Sequence, residues 1–168
     1  MGLRTRPFFV LTTSTAENAG TAEIGTPYAG PPPKEIHVQA EMQKLQGTWN
    51  VVALEVEAMK MGESSFQGSK IVVKGDTFTT VSMGADYSGT IKVDATSSPK
   101  TLDLTFAEGP HQGNTAHGIY GLDDSRWIIC LGFAGRDRPK EFVTTPGCGH
   151  ALETLMRATS EPAKRPQP

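Results

Sequence analysis

LQGTW, residues 45–49, sets a glycine two residues ahead of a tryptophan at the start of the first run with strand character. A tryptophan at that point suits the plug at the closed end of a small β-barrel. The rest of the chain is therefore read for the strands such a barrel needs. TWNVVALEV, 48–56, is the first, and KIVVK, 70–74, the second. Gly75-Asp76 turns the chain into TFTTVSM, 77–83, which is followed by DYSGTIKVD, 86–94. In that run Tyr87, Ile91 and Val93 share one parity and Ser88, Thr90 and Lys92 the other, so one face meets a core and one meets water.

The pattern continues to the end of the domain. Ser97-Ser98-Pro99 breaks the chain before KTLDLTF, with Leu102, Leu104 and Phe106 inward and Asp103 and Thr105 outward. A Gly-rich loop, AEGPHQGN, leads to TAHGIYGL, 115–122, and Asp123-Asp124-Ser125 turns into RWIICLGF, 126–133. AGRDRP then leads to KEFVT, 140–144, read as a further strand, and HALETLMRA, 150–158, is the last. Short strands at 8–12 residue spacing, rich in β-branched and aromatic residues, are the all-β signature. Short connections favour a closed meander, which hides its edges, over crossing topologies. The fold class is all-β, an antiparallel up-and-down barrel of about eight strands. The inward set of Phe78, Tyr87, Ile91, Leu102, Leu104, Phe106, Trp127 and Ile129 leaves room for a modest cavity.

The flanks read differently. Residues 1–40 lack apolar periodicity and include Pro31-Pro32-Pro33, which favours extended polyproline backbone. The domain organisation is thus a Pro-rich tail over 1–40, a barrel over 41–158 and a C-terminal tail over 159–168. A short helical turn is expected from Val38 to Leu45, where Met42 and Leu45 lie three apart. The apolar run Phe8–Leu11 is shorter than a secretory core. A disordered leader and a degraded export signal both remain open, with the cytoplasm slightly favoured. GPPPK offers a weak docking motif for a protein partner.

The 168-residue chain is long enough for one domain with a core, and 18 glycines and 12 prolines suit a turn-rich protein. A net charge of −2 without any basic run gives no electrostatic reason to expect nucleic acid. No stretch reaches the roughly 18 apolar residues of a membrane helix. Cys130 and Cys148 are too few for a disulfide framework; they pair if their strands are neighbours and otherwise remain thiols. Cys148 and His150, two apart on a strand, lie beyond hydrogen-bond reach, and no phosphate loop or G-x-S-x-G is present. His37, His111, His117 and His150 show no metal-ligand spacing, so neither metal nor cofactor is expected.

LQGTWNVVALEV resembles the opening of the small lipocalin-like domains found in planctomycete and related bacterial genomes. LDLTF at 102–106, GP at 109–110, GIYGLD at 118–123, IICLGF at 128–133, RPKEF at 138–142 and PGCGH at 146–150 extend the similarity over residues 43–157. The resemblance implies a lipocalin-like β-barrel and no assigned activity. Wider lipocalins pair the Trp of their G-x-W with an arginine late in the chain. Here that implies Trp49 at the barrel floor with Arg157 over it, although the chain's end does not supply those proteins' C-terminal helix.

Three functions are open. The first is a binding module for a small apolar or amphipathic ligand, met at the mouth by Tyr87, Tyr120, Arg138, Glu141 and His117. RDRPKEF would then supply an arginine fork oriented by Glu141, or alternatively Arg138 pairs locally with Glu141 or Asp137. The loops near His111 and Gly147 belong to the same end. The second is acid–base catalysis in the cavity by Glu141, His117 and Tyr120. The third is a structural or interaction domain with a filled barrel.

Overall fold

The alternating runs pair as successive antiparallel hairpins. A computed structural model of the protein describes residues 33–133 and 135–159. Helix α1 (Pro33–Leu45) precedes β1 (Gly47–Val56), β2 (Met59–Lys60), the short α2 (Glu63–Phe66), β3 (Lys70–Lys74), β4 (Thr77–Ser82) and β5 (Ala85–Asp94). Then follow β6 (Lys100–Glu108), β7 (Thr115–Leu122), β8 (Arg126–Gly132) and β9 (His150–Arg157). Strands β3 to β9 follow one another in order, and β9 returns to pair with β1 from Trp49↔Arg157 to Val56↔Ala151. The result is a closed eight-stranded antiparallel up-and-down barrel, with β2 an extra strand on the end of β1. Among the described residues no helix is long and apolar enough to cross a membrane.

Closure sets the two ends apart. Trp49 at the start of β1 and Arg157 at the end of β9 share one end with the β3–β4, β5–β6 and β7–β8 turns. That end is the floor. The β1–β2 hairpin, the β4–β5 turn, the β6–β7 loop and the two ends of the β8–β9 connection lie at the other, the mouth.

The floor is solid. Trp49 and Trp127 are fully buried and meet edge to face at 5.6 Å between centroids. Gly47 carries φ +112°, a conformation that L side chains rarely adopt. The Trp49 indole N–H donates to the Leu45 carbonyl at 2.8 Å, so the last turn of α1 is tied to the first strand. Leu45 is fully buried, and Val38 and Met42 pack on the same core. Pro33 opens α1, where a missing N–H costs nothing. The helix therefore takes in residues 33–40, which were expected in the tail. Residues 1–32 and 160–168, with the leader and most of the proline motif, lie outside the described residues.

The expected strand 140–144 does not form; residues 135–149 run as an irregular segment. Once β8 pairs with β9 and β9 with β1, no free edge remains to receive it. The segment instead covers the outer wall. Ile119 and Cys130, on the outward parity of β7 and β8, are buried beneath it. Thr144, itself buried, donates to Glu55 and accepts from the Ala58 N–H. The hairpin between β1 and β2 turns on Glu57 and Ala58, both at positive φ. Gly149 N–H donates to the Glu57 carboxylate at 2.9 Å, so the covering segment holds this turn as well.

Inside, the register of β5 on β6 shifts between Ser88 and Gly89, where β6 carries Ala107 as an extra residue. A methyl group on Gly89 would overlap the Thr105 carbonyl, so the close approach of the two strands requires glycine.

Candidate functional site

The mouth half of the barrel is hollow. A cavity of about 470 Å³ opens there, far above the ~30 Å³ share of one water. Leu54, Ile71, Leu104, Leu131 and Ala151 form its apolar wall, and Met59, Met61 and Met83 stand at its rim. Tyr87, Phe106, His111 and Phe133 make one continuous group of rings along one side. The His111 imidazole stacks on Tyr87 at 5.6 Å and on Phe133 at 5.8 Å, while Phe106 meets both Tyr87 and His111 obliquely.

One carboxyl side chain belongs to this space. Glu153 lies between the inward residues Ala151 and Leu155 on β9, and its cross-strand neighbours are Leu54 on β1 and Ile129 on β8. Glu153 is half-buried, lines the cavity, and has no hydrogen-bond partner among the described residues. Burial among apolar groups pushes its pKa up to about 7. Thr80 and Ser82, from the inward parity of β4, add two hydroxyls.

The expected site residues divide between three places. Tyr87 lines the cavity. Tyr120 is fully buried near the floor, because β7 runs from mouth to floor and Tyr120 lies late in it. Its hydroxyl donates to Glu41 of α1 at 3.1 Å, and Lys100 meets the same carboxylate at 2.9 Å. Burial raises the Tyr120 phenol well above its ordinary range, reinforced by the Glu41 charge. Burial also opposes ionisation of Glu41, but the bonds from Lys100 and Lys44 outweigh it and hold its pKa below the ordinary value. This cluster fastens the helix to the floor.

His117 and Arg138 sit on the outer wall. His117, from the outward parity of β7, pairs with Asp103 through Nδ1 at 2.7 Å. Arg138 donates to the carbonyls of Leu102 and Gly118 at 3.0 and 2.6 Å and to Asp103 at 2.7 Å. Its fork thus engages the barrel's own wall, with neither Glu141 nor Asp137 as partner, and is absent from the mouth. Burial of Asp103 would raise its pKa, but the bonds from His117 and Arg138 bring it below the ordinary value. Glu141 is exposed in the covering segment. The acid–base group of Glu141, His117 and Tyr120 is therefore not assembled. Arg138→Ala is expected to loosen residues 135–149 while leaving the cavity intact. Faster hydrogen exchange confined to that segment and the facing β7 would register it.

The floor pair is close. The Arg157 guanidinium carbon lies 4.1 Å from the centre of the Trp49 ring. Arg157 also donates to the carbonyls of Gln46, Lys44 and Asp124. Trp49 and Arg157 thus close the barrel and take no part in the cavity wall.

No family model, curated protein or solved structure matches the chain. Cys130 and Cys148 are free thiols, the first buried and the second half-buried. Burial pushes the Cys130 thiol up to about 11. The Cys148 sulfur accepts from the backbone N–H groups of Thr145 and His150 at 3.3 Å each, while the His150 ring lies 3.2 Å from the Asp137 carbonyl. No nucleophile–base pair results. Among the described residues, no three His, Cys, Asp or Glu side chains gather as a metal-holding group.

Proposed function

We propose that the protein is a binding module, a lipocalin-like barrel that holds one small, largely apolar molecule in its mouth cavity. The observation that carries this reading is the 470 Å³ apolar chamber with a single carboxyl in its wall. Volumes of 300–1,000 Å³, lined by apolar and aromatic groups with a few placed polar atoms, suit drug-sized ligands. A barrel filled by its own side chains, as an interaction domain would have, leaves no such space. Met59 and Met83 at the rim are exposed and unbranched, and they adapt readily to ligands of varied outline.

The neutral fluorophore N-phenyl-1-naphthylamine tests this reading. Its emission is expected to rise and shift to the blue on titration with the protein. Thr80→Phe projects a ring from the inward parity of β4 into the chamber. It should weaken binding tenfold or more while the far-UV circular dichroism stays that of the parent. Unchanged emission with the parent protein would remove the proposal.

A further inference from the structure

We infer that the preferred occupant of this cavity carries a protonated amine, held by Glu153 and by the ring faces of Tyr87, Phe106, His111 and Phe133. The inference rests on the binding reading and specifies its ligand class. Among the described residues neither lysine nor arginine lines the cavity, so none of them compensates a Glu153 carboxylate. Its lateral neighbours, Leu54 and Ile129, are apolar, and the other titratable groups in the wall are His111 and Tyr87. An ion left without a partner in apolar surroundings is strongly disfavoured. A ligand ammonium supplies the missing charge and three hydrogen-bond donors together.

The ring group adds a second reason. Aromatic faces are negative at their centres and attract organic cations, most strongly where water is displaced. A group of four rings joined through His111, in the same cavity wall as one carboxyl, therefore suits an ammonium with an apolar tail. The tail would lie against Leu54, Ile71, Leu104 and Leu131. An anionic head would meet a carboxyl with no cation to offset it, and a neutral head would leave the carboxyl protonated.

These alternatives differ in the sign of their pH dependence. An ammonium binds the ionised form of Glu153, so its affinity rises as the empty site loses its proton and levels off once that is complete. An alkyl carboxylate or a neutral alcohol favours the protonated form, so its affinity falls over the same range.

The experiment is isothermal titration of the whole protein with octylamine, octan-1-ol and octanoate from pH 5.5 to 8.5. Octylamine stays protonated throughout. Its affinity is expected to climb up to about tenfold per pH unit at the acid end and to flatten above about pH 7, where the Glu153 proton is lost. Above pH 7.5 it should exceed octanol by at least tenfold. Glu153→Gln should remove both the slope and the advantage over the alcohol. Glu153→Leu provides a second test should the glutamine fold poorly. Octanol binding as tightly as octylamine at pH 8, or an unchanged slope in Glu153→Gln, would overturn the amine inference and leave the binding reading standing. No binding by any of the three, together with no N-phenyl-1-naphthylamine signal, would overturn both.

Discussion

Glu153→Gln is expected to stabilise the ligand-free protein at pH 8 by up to about 3 kcal/mol, with the gain vanishing toward pH 4.5. The folded chain raises this carboxyl from an ordinary value of 4.5 to about 7, so the native state binds its proton more tightly than the unfolded chain does. Stability from this group is complete below the unfolded value and is lost as pH rises through the folded one. The conversion of about 1.4 kcal/mol per pKa unit gives the ~3 kcal/mol, an upper bound because water entering the cavity eases the charge. Glu41 and Asp103 have lowered values and act in the opposite sense, with stability lost as pH falls. They are common to both proteins, so the difference between parent and variant isolates Glu153. Urea unfolding at pH 5, 6, 7 and 8 reads it directly. Two stability curves running parallel across that range would mean that the carboxyl does not titrate in the cavity.

The second large effect belongs to the floor. Trp49→Ala is expected to cost about 3–5 kcal/mol, the usual range for emptying a fully buried aromatic site. The loss reaches beyond volume. The indole N–H bond to Leu45 ties α1 to the barrel, and the Arg157 guanidinium would lose the ring beneath it. Arg157→Met, which keeps an unbranched apolar stem and removes the guanidinium, should cost less. A double-mutant cycle with Trp49→Leu should return a coupling of about 0.5–2 kcal/mol for the cation–ring contact. Additive costs would instead assign the contribution of Arg157 to its bonds with the Gln46, Lys44 and Asp124 carbonyls.

Strand alternation made most of the wall legible in the sequence, because inward and outward residues alternate with a period of two along every strand. Phe78, Ile91, Leu102, Leu104, Phe106, Trp127 and Ile129 are all buried where parity puts them. The ends were harder to read. Parity says which face a residue occupies, whereas position along the barrel axis depends on counting reversals. If β1 leaves the floor at Trp49, each hairpin reverses direction and β7 must run toward the floor, carrying Tyr120 with it. Counting 140–144 as a strand breaks that sequence of reversals. Nine strands cannot close with every pair antiparallel, and the additional reversal would send Arg157 to the mouth, away from Trp49. The expected pairing of those two residues therefore already argued against the extra strand.

Glu153 was overlooked for a different reason. HALETLMRA reads as an ordinary last strand, and a glutamate in it passes for a solvated residue. The signal was present in its parity, which it shares with the inward Ala151 and Leu155. A charge on the core face of a strand departs from the pattern around it, and such departures concentrate at functional sites. The β1–β2 turn had no comparable signal. Glu57-Ala58 lacks the Asn-Gly or Asp-Gly chemistry that usually supports two successive positive φ values. Its anchoring comes from Thr144 and Gly149, which are remote in sequence.

The pairing of β9 with β1 bears on how the chain reaches this state. The first and last strands of the barrel are neighbours, so the seam at Trp49 and Arg157 cannot form until the rest of the domain has been synthesised. Until then one side of β1 and one side of β8 stay unpaired, and open strand edges invite pairing with other chains. A ribosome-bound chain ending before His150 holds every hairpin from β3 to β8 and still lacks a closed surface. The latch on the floor is thus also the last step of assembly, and the interval before it is when the protein is most exposed to aggregation.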